Sequence, residues 1–158
     1  SIRFPSNGDW FNVTYSSNVR RSVFLAYEDD STHSWATPIG SVYTGGNSCY
    51  HGESNATAIF DVGANTSSTT TNGENRKDGV DIGTGGSTTR PTIFSQFTFI
   101  SSGNFASGQF ITKLGSGNLT GSRSIIGYMS EVLIYNTNAG SSDRDTIEGN
   151  INDYYGID

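Results

Sequence analysis

The sequence predicts an all-β fold: two antiparallel sheets packed as a sandwich, with one short helix at the C-terminal end. Short apolar runs recur about every ten residues, separated by turn signals, and helical periodicity is absent until the end. The composition agrees. Hydrophobic residues make up 33% and charged residues 15%, and much of the rest is Ser, Thr, Asn and Gly. Disorder usually goes with high charge and few aromatics, whereas aromatics here reach 12%, so a folded, turn-rich β protein is expected. The third observation is the closing stretch. Met129–Tyr135 is an apolar run broken by Glu131, long enough for one buried strand. After a polar turn, Ile147, Ile151, Tyr154 and Tyr155 fall on one helical face. Ser142 and Asp145 have the spacing of a capping box, and Gly156 suits a left-handed stop.

From the start of the chain, Ser1–Phe4 and Trp10–Tyr15 read as short strands joined at the turn Pro5–Gly8. Ser22–Tyr27 is the best strand of the first half and reads as central, buried on both faces. An acidic polar loop follows. Pro38 and Gly40 make Trp35–Tyr43 an edge strand. Thr44–Asn47 is a Gly-Gly turn from which Ser48–His51 pairs back. Ala56–Val62 reads as a strand with Ala58, Phe60 and Val62 on one face. Gly63–Asn75 holds no apolar residue larger than Ala and reads as a loop, Val80–Ile82 as a short strand, and Gly83–Arg90 as a loop. Thr92–Ile100 and Gln109–Leu114 are strands, and a turn over Gly115–Ser122 leads into the last one. The chain, 158 residues long, is expected to form one domain with a sizeable core.

The final pattern, Gly127, Glu131, Ile134, Tyr135 and Asn136, then Asp143, Arg144, Ile147, Glu148, Tyr155 and Gly156, resembles the end of concanavalin A-like, laminin G-like jelly-roll domains. Such domains occur in phage tail, virion and bacterial surface proteins. Asn150-Ile151 and Asp153 depart from the family pattern without threatening the fold. The opening Ile2–Val13 is similar to a strand pair of that family, and the strand that usually precedes it is missing. The resemblance implies either that the fold is trimmed or that another segment or chain supplies that strand, since an unpaired sheet edge is otherwise a liability. The chain does not begin with Met, which points to processing or a longer parent.

The net charge of −6 argues against nucleic acid as the main partner, because phosphate binding needs a basic face. No apolar run approaches the ~20 residues of a membrane span, and none reads as a signal peptide. Cys49 is the only cysteine, so no internal disulfide forms and the residue reads as a small buried hydrophobe.

Catalysis on this fold would need paired carboxylates across a sugar. Related glucanases place three on alternate positions of one strand; here Glu28 and Asp30 supply two, and Thr32 stands where the third would be. His33 and His51 lie in no recognisable nucleophile motif. The chain is therefore expected not to be an enzyme. The resemblance implies Ca²⁺ at a loop rim, for which Asp29 and Asp30, or Asp78 and Asp81, are the candidates; the alternative is that these are solvated loop carboxylates. It also implies sugar binding. Trp35, Tyr43, Asn47, Tyr50 and His51, around the Gly-Gly turn, combine aromatic platforms with hydrogen-bonding groups. The competing reading makes Trp35 and Tyr43 ordinary core or rim residues. The expectation is a virion or extracellular surface module, contacting host glycans and other appendage subunits as a homo-oligomer. The main alternative is a purely structural assembly domain.

Overall fold

The computed structural model describes residues 1–6, 8–15, 19, 21–30, 35–40, 49–50, 52, 58–61, 66–107, 109, 111–116 and 124–157. Its strands are β1 (Ile2–Phe4), β2 (Phe11–Tyr15), β3 (Ser22–Asp29), β4 (Ile39–Gly40), β5 (Glu74–Lys77), β6 (Val80–Asp81), β7 (Ser95–Ile100), β8 (Ile111–Leu114) and β9 (Gly127–Tyr135). Its helices are α1 (Ser68–Thr71) and α2 (Ser141–Tyr155). One sheet has six strands in the order β1-β9-β3-β7-β5-β6, and the other has three in the order β2-β8-β4. All pairings are antiparallel. The turn after Phe4 does not fold β1 onto β2; it passes the chain from one sheet to the other.

β3 organises the larger sheet. It pairs with β7 on one side and with β9 on the other. Its side chains alternate as a strand requires. Val23, Leu25 and Tyr27 enter the main core with Phe97 and Phe99 of β7, Ile39 of β4 and Ile111 of β8. Phe24 and Ala26 point the other way, where Ile147, Ile151 and Tyr155 of α2 pack on them. Each such large apolar side chain contributes about 1.5–3 kcal/mol when fully buried. The sandwich and the helix thus share one strand, and α2 covers the outer face of the larger sheet.

Several elements differ from the sequence expectation. Helix α2 is capped by the backbone of Gly140 with no side-chain bond, so the capping box of Ser142 and Asp145 does not form. The helix begins earlier because the Ser22 hydroxyl fixes the preceding turn, donating to Thr137 O (2.8 Å) and accepting from Ala139 N (2.7 Å). Asp145 instead accepts from Arg144. Tyr154 stands 80% exposed rather than packing the helix down, while Tyr155 does pack. Gly156 ends the helix in the left-handed conformation, as expected (φ 64°).

In the expected edge strand 35–43, only Ile39–Gly40 is a strand among the described residues. The described part of the expected strand 56–62 makes one isolated bridge, Ala58 to Thr89, and buries both Ile59 and Phe60, which a regular one-sided strand would not do. The expected loop 63–75 contains α1 and the start of β5. There the Ser67 hydroxyl caps α1 at Thr69 N (3.2 Å), and the buried Thr70 hydroxyl donates to Cys49 O. Asp78 (φ 50°) and Gly79 (φ 78°) turn β5 back as β6, the left-handed pair that a two-residue hairpin requires.

Candidate functional site

The outer face of β9 and the flank of α2 carry a run of surface depressions, and a β-bulge in β9 shapes it. Ala26 pairs with Glu131 but Tyr27 pairs with Met129, so Ser130 is left without a partner on β3. Met129, Val132 and Ile134 all belong to the main core, a spacing of three and then two. Strict alternation from Met129 would have pointed Glu131 into that core. The bulge turns Glu131, with Leu133 and Tyr135, towards the helix side.

The end of α2 locks the bulge. The Tyr155 hydroxyl lies 3.3 Å from Ser130 O and 3.1 Å from Glu131 Oε2, within reach to donate its proton to either. Burial, and next the hydrogen bond to Glu131, push the Tyr155 phenol above its ordinary range, so it remains a donor at neutral pH.

Between β9 and α2 run depressions that share lining residues. One of about 380 Å³ is lined by Glu131, Leu133, Tyr135, Asn150 and Tyr154, among others. A second of about 290 Å³ shares Tyr135 and Ile147 and adds Asn138, Asp143 and Thr146. A third of about 320 Å³ shares Tyr155 and adds Glu28, Phe94 and Tyr128. The rings are braced: Tyr135 meets Phe24 edge-on at 6.0 Å, Tyr154 meets Tyr155 edge-on at 4.8 Å, and Phe94 lies 5.2 Å from Tyr155. The groove therefore offers aromatic surface on rigid supports beside a carboxylate and an amide. Such a site takes a ligand with an apolar face and a rim of hydroxyls.

Of the site residues singled out in the sequence, Glu28 lines the third depression, and the others that are described lie elsewhere. Tyr50 is 1% exposed and sits in the core among Phe60, Phe99 and Phe105, so its ring is no surface platform. Trp35 is half-buried in a turn with φ 67°. Tyr43, Asn47, His51 and His33 lie outside the described residues. Asp29 is buried; its carboxylate pairs with Arg90 at 3.3 Å and accepts from Ile126 N at 3.2 Å. Asp30 is exposed. The carboxylates of Asp78 and Asp81 accept from Gln96 N and Gly83 N, both at 2.7 Å, and so brace the hairpin. Among the described residues, no three His, Cys, Asp or Glu side chains come together as a metal site, and no helix is long and apolar enough to cross a membrane. The sequence pattern assigns Tyr154 to the apolar face of α2, whereas in the structure it stands exposed, four residues after Asn150, and the two line the groove.

The chain matches no protein-family model, no curated protein and no solved structure.

Proposed function

We propose that this chain is a non-enzymatic surface module with a concanavalin A-like jelly-roll topology, displayed on a virion or an extracellular surface, and that it recognises carbohydrate in the groove between β9 and α2. The observation that carries the reading is the run of Tyr128, Tyr135 and Tyr154, 38%, 41% and 80% exposed, along one groove with Glu131 and Asn150. Exposed tyrosines cost little on a surface when their flat faces meet the C–H face of a pyranose, and the carboxylate and amide fix its hydroxyls. Hydrolysis would need a second carboxylate poised across the sugar. Of the other acids along the groove, Glu28 and Asp143 line the neighbouring depressions rather than the one that holds Glu131, and Tyr155 already engages Glu131. The calcium implied by the family resemblance does not suit Asp29, whose oxygens face Arg90 and the Ile126 amide.

A glycan array followed by titration calorimetry tests this. Tyr154→Ala should weaken binding of any hit by about tenfold, the scale of one aromatic platform, while the circular dichroism spectrum stays unchanged. An array without hits, or a hit whose affinity Tyr154→Ala and Glu131→Gln leave intact, would remove the groove from consideration.

A further inference from the structure

The groove between β9 and α2 is electronegative. One depression is lined by Glu131 and the adjoining one by Asp143, and among the described residues no Lys, Arg or His lines either. Nearby basic side chains are engaged elsewhere. Arg144, next to Asp143, holds Glu74 and Asp145, and Arg76 holds Glu148 and Glu74. Neither Glu131 nor Asp143 has an ion-pair partner among the described residues. A cation approaches at the Tyr128 end, where Arg3 lies 5.8 Å from the ring centre, and Glu28 lines that same depression.

The fold gains differently from the two carboxylates. Asp143 is in the first turn of α2, where the helix dipole favours an anion. Glu131 has no such support. It interrupts an apolar strand, where acidic residues are disfavoured, and the bulge at Ser130 keeps it out of the core. Its Oε2 takes the Tyr155 hydroxyl at 3.1 Å, while Oε1 has no hydrogen-bond partner among the described residues. The groups around Glu131 share its sign. Tyr135 and Tyr154 are 41% and 80% exposed, and the face of a phenol ring is the negative side of its quadrupole. The Tyr155 hydroxyl spends its proton on Glu131 or on Ser130 O. A carboxylate accepts and cannot donate, so an acidic sugar meets repulsion here and few donors. An ammonium group brings three donors and a positive charge, which suits both the carboxylate and the tyrosine faces.

We infer that the carbohydrate held in this groove carries free, protonated amino groups: a linear polymer of unsubstituted amino sugars, not a neutral or acidic glycan. The inference rests on the groove being a carbohydrate site and adds the charge of its ligand. One ammonium group is held at Glu131 Oε1 beside the exposed tyrosines. A second, further along the polymer, reaches Asp143 in the adjoining depression, which shares Tyr135 and Ile147 with the first. Acetylation of the amines removes the charge and with it the pairing to both carboxylates.

Titration calorimetry with two soluble probes tests this: a glucosamine oligomer with free amines, and the same oligomer N-acetylated. The free-amine oligomer should bind about tenfold more tightly, the scale of one cation seated on a tyrosine face. Glu131→Gln should cut that ratio to about threefold or below, the residue of an exposed ion pair at Asp143. In case Glu131→Gln unfolds the chain by circular dichroism, Asp143→Asn should lower the ratio independently. Tyr154→Ala should weaken both oligomers. If the acetylated oligomer binds equally or more tightly, and Tyr154→Ala still weakens it, the amine preference is overturned while the groove remains a carbohydrate site. A ratio that survives both carboxylate variants, or binding that an oligolysine peptide matches with no response to Tyr154→Ala, would also overturn it, as bulk attraction to an acidic protein. Binding of neither oligomer would overturn the inference.

Discussion

Replacing Asp29 by Asn should be among the most damaging single changes outside the apolar core. The side chain loses its charge but keeps its size. In the native fold its carboxylate faces Arg90 at 3.3 Å, with both side chains almost fully buried, and it accepts from Ile126 N at 3.2 Å. An exposed ion pair contributes little, about 0–1 kcal/mol, because water screens it. This pair has no such screening: removing one partner leaves a guanidinium in the interior without its counter-charge, which costs about 3–5 kcal/mol. A domain of this kind is stable by about 5–15 kcal/mol in total, so the variant loses a large share of its margin. Urea unfolding followed by the fluorescence of Trp10 and Trp35 measures the loss. The double variant Asp29→Asn, Arg90→Met removes both charges and should recover much of the stability, since a buried pair contributes little net. The same titration with calcium and with chelator should show no difference attributable to Asp29. A single variant within about 1 kcal/mol of the natural chain would refute the reasoning, as it would mean that Arg90 is well solvated or otherwise neutralised.

Other substitutions test other parts of the fold. A Cβ at Gly127 would lie 2.3 Å from Glu28 O, so Gly127→Ala should cost about 3 kcal/mol in the same urea assay and loosen the β3–β9 pairing. Glu148 is buried and holds Arg76 Nε at 3.2 Å through both oxygens; Glu148→Ala should cost about 2 kcal/mol and show as faster hydrogen exchange in α2. Among the described residues the buried Tyr27 hydroxyl has no hydrogen-bond partner, so Tyr27→Phe should change stability at neutral pH by no more than about 1 kcal/mol. Burial first, and then the Asp29 charge, hold the Tyr27 phenol well above its ordinary range, with Arg90 acting in the opposite direction. The folded state therefore binds this proton more tightly than the unfolded chain. Its contribution is complete below about pH 10 and declines as pH rises toward the folded value. Thermal unfolding above pH 10 should accordingly fall less steeply in Tyr27→Phe than in the natural chain.

Those strands whose side chains follow their neighbours' demands were readable in the sequence. β3 is a long apolar run because structure covers it on both faces, and Gly156 stops α2 where its missing Cβ permits. What could not be read depends on partners far along the chain. Ser68–Thr71 is a poor helix by propensity; it is held by the Ser67 cap and by Thr70 reaching Cys49 O. The helix start moved because Ser22, more than a hundred residues away, grips the turn before it. Asp78-Gly79 is a hairpin signal in itself, but Asn75, Arg76 and Lys77 beside it lack apolar alternation and read only as charge. The groove arises where Glu131 and Tyr135 meet Asn150 and Tyr154, a juxtaposition that exists only once a helix is laid beside a strand. Within β9 the one local clue was the interval of three between Met129 and Val132, and it is easily taken for noise.

The central place of β3 also governs how the molecule can come into being. Neither of its partners is near it in the chain: Ser22 pairs with Ile100 on one side and Tyr135 on the other. No hairpin can shelter its six apolar-rich residues Ser22–Tyr27 early, so they wait, unpaired, until most of the chain has been synthesised. Loops of that length close slowly, and folding should take milliseconds to seconds rather than microseconds. For all of that interval the most adhesive segment of the protein is a free strand, and survival of the nascent chain depends on what else in the cell reaches it first.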